Sequence, residues 1–307
     1  MDIDNAVISF DGSVQSIMKV ILGLVIFGVA LDIKVGDFKQ VFSTPKAVLL
    51  GLVAQFFIFP ALTFLIIYLA SLSPQTAFYP SVALGMLLVA ACPGGNMSNF
   101  FSNLAKGNTA LSVTMSAVST VAAVIMTPFN FSFWGSILPE TEALLQTLSI
   151  SFMDMFQTIM ILLCIPLVAG MAIAHYFPKV AAKARTPMKM LSISFFVVLI
   201  IGAFAANYSN FINYVGGVVL IVFIQNSIAL FTGFSLAKMV GLSERDSRTV
   251  SIEVGIQNSG LGLILFFEYF NTLGGMGIII AWWSIWHMIS GLSLATYWSK
   301  KTKLTNS

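Results

Sequence analysis

Glu253-Val-Gly-Ile-Gln-Asn-Ser-Gly260 puts a carboxylate, two amides and three small residues inside a stretch, about residues 249–271, that is otherwise apolar enough to cross a membrane. An ionisable side chain near the middle of a spanning helix costs about 2.5–3.5 kcal/mol on insertion scales, so it marks a pathway or an ion site. Gly255, Asn258, Ser259 and Gly260 suit an unwound segment with exposed carbonyls better than a lipid-facing helix. A second segment, Cys92-Pro-Gly-Gly-Asn-Met-Ser-Asn99, interrupts another apolar stretch in the same way. Two broken helices at matching places in two halves point to the binding site of a secondary carrier.

Composition agrees with a membrane setting. The chain is 58% hydrophobic and 9% charged, where a soluble domain carries about a quarter charged residues. Apolar runs recur from residue 16 to residue 298, which implies an all-α, polytopic membrane protein. The net charge of +3 comes from basic residues spread among loops, so no nucleic-acid partner is implied. Cys92 and Cys164 both fall in apolar segments and read as small membrane-helix residues, neither disulfide nor metal site. Asp2, Asp4 and Asp11 precede the first apolar run, unlike a cleaved signal.

At about 20 residues per crossing, nine spans are expected: about 15–33, 47–70, 77–104, 109–128, 146–176, 190–209, 213–238, 249–271 and 276–298. With the N-terminus outside, the inside loops hold 14 of the 15 Lys and Arg residues. The remaining one, Lys19, can snorkel to the headgroups. Outside segments carry Asp2, Asp4, Asp11, Glu140, Glu142 and Glu268. A miscounted span would scramble this partition, so it supports both the count and the direction. The expected location is a cell membrane, the inner membrane in a bacterium, with the C-terminus in the cytoplasm.

The same stretches suggest an internal repeat. Gly94-Gly-Asn-Met-Ser-Asn99 resembles Gly255-Ile-Gln-Asn-Ser-Gly260, and Gln55 ahead of Phe-Phe-Ile-Phe-Pro60 answers Gln225 ahead of Asn-Ser-Ile-Ala-Leu230. Both offsets are five spans, an odd number, so the copies lie in opposite orientations as an inverted repeat. Broken helices free carbonyls, which together with a carboxylate, amides and hydroxyls are the hard-oxygen ligands of a small cation. Half-helix N-termini offer amide donors and a positive dipole end to an anion. Pro93-Gly-Gly95 alone also reads as a kinked packing helix. Glu253 alone also reads as a charge buried against a base, yet no basic residue lies within the core spans.

At these residues the chain resembles the bile acid:sodium symporter family, over about residues 16–299. The match is carried by 92–99, by Leu104-Ala-Lys-Gly-Asn-Thr-Ala-Leu-Ser-Val-Thr-Met-Ser-Ala-Val-Ser-Thr120 and by 252–259. The resemblance implies one transporter unit over 1–307, an inverted-repeat secondary transporter with two crossing broken helices. Core helices would occupy about 47–128 and 213–298, and panel helices about 15–33, 146–176 and 190–209. Many bacterial members have ten spans; the nine counted here fit a chain without the first. The resemblance implies sodium-coupled symport of an organic anion by alternating access, with two sodium ions as coupling ions and no other cofactor. It places one sodium site at Ser98, Asn99, Ser112, Ser116 and Glu253, and the other at Gln55, Glu253, Gln257 and the carbonyls of Val254 and Ile256. Ser112 and Ser116, an i, i+4 pair, share one helix face.

For the substrate, the resemblance suggests Asn258 and His287, with Asn96 as an alternative anion contact. Bacterial members often show His-Asn where this chain reads His287-Met288, and Met288 donates no hydrogen bond. His287 equally reads as a core histidine. The implied substrate is a bile acid or a small carboxylate such as pantoate, ketopantoate or pyruvate. Sodium, that anion and the lipid bilayer are the expected partners, and the expected functional unit is a monomer. Asp154, with Gln157 and Thr158, reads either as a rim site or as a vestibule-facing group; Trp282, Trp283 and Trp286 read as packing or anchors.

Other functions fit less well. A sodium/proton antiporter of related crossed-helix fold would carry one or two proton-exchanging carboxylates, whereas Glu253 stands alone among Gln and Ser. An intramembrane enzyme would need a nucleophile, metal cluster or acid–base pair, and His175 and His287 lie far apart in the sequence. A sensor on a carrier fold is the remaining alternative, separated from a carrier by uphill uptake. The partition of basic residues yields a direct expectation. A C-terminal reporter that works only in the cytoplasm is active, and a tag ahead of Asp11 is labelled from outside; the reverse pattern refutes the span count or its direction.

Overall fold

Proline sets where many of the helices begin and where two of them widen. The computed structural model describes residues 20, 21, 23–28, 30, 31, 36, 44–95, 97–206 and 208–305. Its helices are α1 (Pro45–Ser71), α2 (Pro80–Ala91), α3 (Met97–Leu104), α4 (Thr109–Gly135), α5 (Pro139–Leu148), α6 (Phe152–Tyr176), α7 (Pro178–Ala206), α8 (Tyr208–Met239), α9 (Glu244–Gly255), α10 (Ser259–Tyr269) and α11 (Gly274–Thr305). Pro45, Pro80 and Pro139 stand in the first turn, where the missing N–H is no loss and φ is already helical. Inside α1, Pro60 has no N–H and crowds the carbonyl four residues back. The helix widens there into a π-turn over Ala54–Ile58, and the Phe59 N–H reaches the Ala54 carbonyl. α6 repeats the device ahead of Pro166, with a π-turn over Met160–Cys164.

Among the described residues, five helical stretches of 24 to 29 residues are apolar enough to cross a membrane: α1, α4, α6 and most of α8 and α11; α2 and α10 are shorter apolar helices. At about 1.5 Å per residue, the shortest of the five exceeds the roughly 30 Å of hydrocarbon. The chain is a multi-pass helical membrane protein, with no β-strand among the described residues. The expected third and eighth spans are each interrupted, the third into α2 and α3 and the eighth into α9 and α10. The expected fourth span, about 109–128, continues to Gly135 because Pro128 is accommodated inside α4. The start expected at about residue 146 falls instead in α5, a separate helix with Glu140 and Glu142 in its first turn. The helix of the fifth span begins at Phe152. The first span and Lys19 lie largely or wholly outside the described residues, and so does Asn207, between α7 and α8.

Helix ends collect in two groups. At one, Lys46 at the start of α1 donates to the Val240 carbonyl beyond α8. There too, Asn108 ahead of α4 donates to Asp246 of α9 at 2.8 Å, and Arg248 of α9 to the carbonyls of Ala105 at 2.9 Å and Trp298 at 3.4 Å. At the other group, a Cβ on Gly275 at the start of α11 would meet Ser81 Oγ, near the start of α2, at 2.1 Å. Tyr269, at the end of α10, bonds the Thr158 hydroxyl and donates to the Asp154 carbonyl at 2.9 Å. The exposed Asp154 carboxylate caps its own helix in a reciprocal box with Ser151. Trp283 packs against Phe59 and Trp286 against Phe223, with centroids 6.2 and 5.6 Å apart, as packing residues.

α8 and α9 approach through small residues, as helices in lipid do where backbones must come close. A Cβ on Gly233 of α8 would lie 2.8 Å from both Ser251 Cα and the Val250 carbonyl, and one on Gly255 would lie 2.3 Å from Leu230 Cδ2. The first contact is backbone and cannot yield. Gly233→Leu therefore overpacks this interface at about 1–3 kcal/mol and lowers the melting temperature in detergent. Gly217→Ala, a position with open space around it, does not lower it. Equal melting temperatures for the two variants would contradict the packing described.

Candidate functional site at the paired breaks

A helix that ends inside a membrane leaves its last carbonyls without partners, and each must find one within the protein. α2 ends at Ala91, and Cys92 turns extended at φ −69°, ψ 154°. α9 ends at Gly255, and Ile256 turns extended at φ −109°, ψ 96°. The two breaks then pair. The Gly95 N–H donates to the Ile256 carbonyl at 2.6 Å and the Asn258 N–H to the Pro93 carbonyl at 2.8 Å, an isolated antiparallel bridge of Gly94 with Gln257. The pairing needs glycine. A Cβ on Gly95 would lie 2.5 Å from the Gln257 carbonyl oxygen, and one on Gly94 would lie 2.8 Å from Glu253 Oε2.

The other freed carbonyls are met by side chains. Cys92 O accepts from Gln55 Nε2 at 2.7 Å, and Ala91 O from Thr127 Oγ1 at 2.7 Å. Val254 O accepts from Gln257 Nε2 at 2.7 Å, and Gly255 O from Asn226 Nδ2 at 2.7 Å. The bridge sets Gly94 opposite Gln257, two residues from the alignment of Gly94 with Gly255 drawn from sequence. The two bonds of the bridge exchange under a local twofold that makes Cys92 the counterpart of Gly255, and the carbonyl of each accepts from an amide side chain of a neighbouring long helix.

Glu253, 2% exposed, points from the last full turn of α9 to the start of α3 and the first two turns of α4. Its Oε1 accepts from Ser98 Oγ at 2.5 Å and from Ser112 Oγ; Ser116 Oγ stands 3.1 Å from both carboxylate oxygens. Asn99, half-buried, is tied to the group by Ser116 Oγ at 3.4 Å from its Oδ1. On the other side, Gln55 Nε2 donates to Gln257 Oε1 at 2.8 Å. The π-turn forced by Pro60 lies under Gln55. A small cavity lined by Gly51, Gln55, Gly94, Met115 and Ser119 reaches Glu253 between α1 and α4. No ion pair is formed by Glu253 among the described residues.

Ser98, Asn99, Ser112, Ser116, Glu253, Gln55 and Gln257, with the carbonyls of Val254 and Ile256, thus come together around the two breaks. Asn258 is 8% exposed and caps α10, its Oδ1 accepting the Leu261 N–H at 3.1 Å. His287 is buried on the face of α11 that also carries Gly291, whose Cβ would touch Ile256 Cδ1 at 2.8 Å; its Nδ1 has no hydrogen-bond partner among the described residues. Asn96 lies outside the described residues. Sequence reasoning missed Thr127, Asn226 and Ser290, whose hydroxyl donates to Asn226 Oδ1 at 2.6 Å. Asn226 stands next to Gln225, the residue matched to Gln55, and that adjacency was the available signal.

The chain resembles known proteins over most of its length. It is 32% identical over 94% of its length to the "uncharacterized sodium-dependent transporter YocS" of Bacillus subtilis, covering 85% of that protein. It is 30% identical over 91% of its length to a chloroplastic "probable sodium/metabolite cotransporter" of Arabidopsis thaliana, covering 66% of it. It is 32% identical over 78% of its length to the "P3 protein" of Mus musculus, covering 48% of it. The model of the sodium bile acid symporter family matches residues 19–214. With the pattern of broken helices and the relatives spanning nearly the whole chain, this places the protein in the sodium bile acid symporter family.

Proposed function

We propose that the protein is a sodium-coupled symporter that moves an organic anion across a cell membrane by alternating access, with the cage around Glu253 as its cation site. One observation carries this reading: a carboxylate 2% exposed, bound by three serine hydroxyls and without an ionic partner among the described residues. Burying a charge without a counter-charge is costly, and hydroxyls that donate to it also hold lone pairs for a cation. An all-oxygen donor set suits sodium. Ser98, Asn99, Ser112, Ser116 and Glu253 would form one sodium site; Gln55, Glu253, Gln257 and the carbonyls of Val254 and Ile256 would form the other. The names of the bacterial and plant relatives, which include sodium dependence, agree.

The proposed architecture has nine spans, N-terminus outside and C-terminus cytoplasmic, with an inverted repeat whose broken helices cross at the bridge. It is supported by the like treatment of Cys92 and Gly255 and by the grouping of helix ends, which is what alternating spans require. The helices at about 15–33, 146–176 and 190–209 would form the panel against which the rest moves. Two sodium ions per monoanion would carry one net positive charge. A tenfold sodium gradient supplies about 1.4 kcal/mol per ion and 100 mV about 2.3 kcal/mol per charge, enough for uphill uptake.

For the substrate, a small carboxylate such as pantoate, ketopantoate or pyruvate is favoured over a conjugated bile acid. Met288 packs into the apolar cluster of Phe101, Ile252 and Ile256 and presents no donor. Asn258 and the first amides of α10 offer a carboxylate a dipole end and charge-assisted bonds without a buried Arg. In right-side-out vesicles, Glu253→Ala is expected to lose sodium-driven uptake while still inserting in the membrane; normal sodium stimulation in that variant sinks the cation assignment. Radiolabelled pantoate and taurocholate, each driven by sodium and each challenged by the other, decide the substrate. Pantoate uptake is the expected result, and taurocholate uptake indifferent to pantoate and pyruvate overturns the preference. Proton counterflow without anion uptake would indicate an antiporter instead.

A further inference from the structure

Asn226, in the middle of α8, is fully buried and is used on both sides of its amide. Its Nδ2 donates to the Gly255 carbonyl at 2.7 Å, and its Oδ1 accepts from Ser290 Oγ of α11 at 2.6 Å. Gly255 lies between the two residues whose carbonyls the proposed cation site uses. Because Ile256 is extended at φ −109°, ψ 96°, the Gly255 and Ile256 carbonyls point to opposite sides of the chain. Fastening Gly255 O to α8 turns Ile256 O the other way, toward Gly95 of the facing break, 2.6 Å from its N–H. Val254 O, one residue before, is held on Gln257 Nε2 at 2.7 Å.

The first half of the chain makes the same fastening with a different outcome. Gln55 binds the Cys92 carbonyl, the counterpart of the Gly255 carbonyl under the twofold of the bridge, yet Gln55 also lines the cavity beside Glu253. Asn226 is occupied by Ser290 and is absent from that lining. One amide is thus open to the cage, and its counterpart is shut behind it.

We propose that Asn226, locked in place by Ser290, is a positioning residue for the cation site: it sets the carbonyls of Val254 and Ile256 by tying down the one between them. The proposal rests on the sodium-site reading above, and its test separates the two. The measurement is the thermal shift of the purified protein against sodium chloride, with potassium chloride making up ionic strength, read as midpoint and as maximal shift. Loss of one neutral hydrogen bond corresponds to about threefold to tenfold in affinity. Asn226→Leu, which removes both bonds, is expected to raise the sodium midpoint about tenfold and still reach the full shift. Ser290→Ala, which frees the amide to turn, raises it about threefold, and Ser290→Thr, which keeps the hydroxyl, restores the wild-type midpoint.

Glu253→Gln serves as the control. If it keeps the sodium response of the wild type, the sodium-site reading itself fails, and this inference falls with it. If Glu253→Gln loses the response while Asn226→Leu and Ser290→Ala keep the wild-type midpoint, the positioning role alone is overturned. A smaller maximal shift at an unchanged midpoint overturns it too, because a merely structural contact would act that way. Should Asn226→Leu fail to fold, the Ser290→Ala and Ser290→Thr pair decides by the same criterion.

Discussion

Backbone groups released inside a membrane have no water to fall back on, and that constraint organises this protein. Two helices stop in its interior, and each supplies the hydrogen-bonding partner the other lacks: Gly95 for Ile256, Asn258 for Pro93. Everything near the breaks follows from serving the carbonyls that remain. Gln55 and Asn226 each cap one, Thr127 takes another, and Gln257 folds back on Val254. Only glycine permits the chains to come this near, so Gly94 and Gly95 belong to the same solution as the amides. The π-turn of α1 belongs to it as well, since Pro60 widens the helix at the residue whose side chain reaches Cys92.

The parts of this arrangement that were legible in the sequence are those that violate the membrane rule. Glu253 in an apolar run, and glycine, proline and asparagine in the middle of two others, are costly anywhere else in such a chain, so their presence exposed the site. The oxygen residues gathered at the breaks were expected there through the family resemblance. The register was not legible, because Gly94 and Gly255 look alike in sequence while hydrogen bonding pairs Gly94 with Gln257. Asn226 and Ser290 escaped for a related reason. A lone amide or hydroxyl in a membrane helix is ordinary, and only its position against a freed carbonyl gives it meaning. Helix boundaries failed where proline was tolerated, at Pro128 within α4, and where a short polar helix, α5, stood in for part of an expected span.

A base close to Glu253 would have neutralised it, and the chain has one five residues earlier on the same helix. Five residues at about 100° each turn Arg248 about 140° away around α9. Its guanidinium instead bonds the Ala105 carbonyl at 2.9 Å, Thr302 Oγ1 at 2.7 Å and Glu244 Oε1 at 3.2 Å, and lies over the Trp298 ring at 5.8 Å. Glu244 in turn bonds Lys238, which, with Arg248, holds its carboxyl below the usual carboxylate range. A depressed value keeps Glu244 ionised as pH falls, until its folded-state titration range is reached, so the counter-charge of Arg248 persists through neutral and mildly acidic conditions. The basic charge of this helix is therefore committed at its polar end and leaves the carboxylate to the cage.

That separation bears on how a carrier would work. Three hydroxyls at about 1.5–3 kcal/mol each for bonds to a charged group supply about 4.5–9 kcal/mol, the same order as the several kcal/mol it costs to desolvate one ion. The serines offset much of the cost of burying the carboxylate and leave the remainder to a counter-charge. A fixed Arg or Lys at this point would have stabilised the carboxylate more, and it would have competed permanently with any ion. Serine hydroxyls do not compete in that way: a donor to the carboxylate becomes an acceptor for a cation by rotating about one bond. A cation site that loads on one side of a membrane and empties on the other, as proposed for this protein, would need that modest balance, and serine in place of a base at Ser98, Ser112 and Ser116 would provide it.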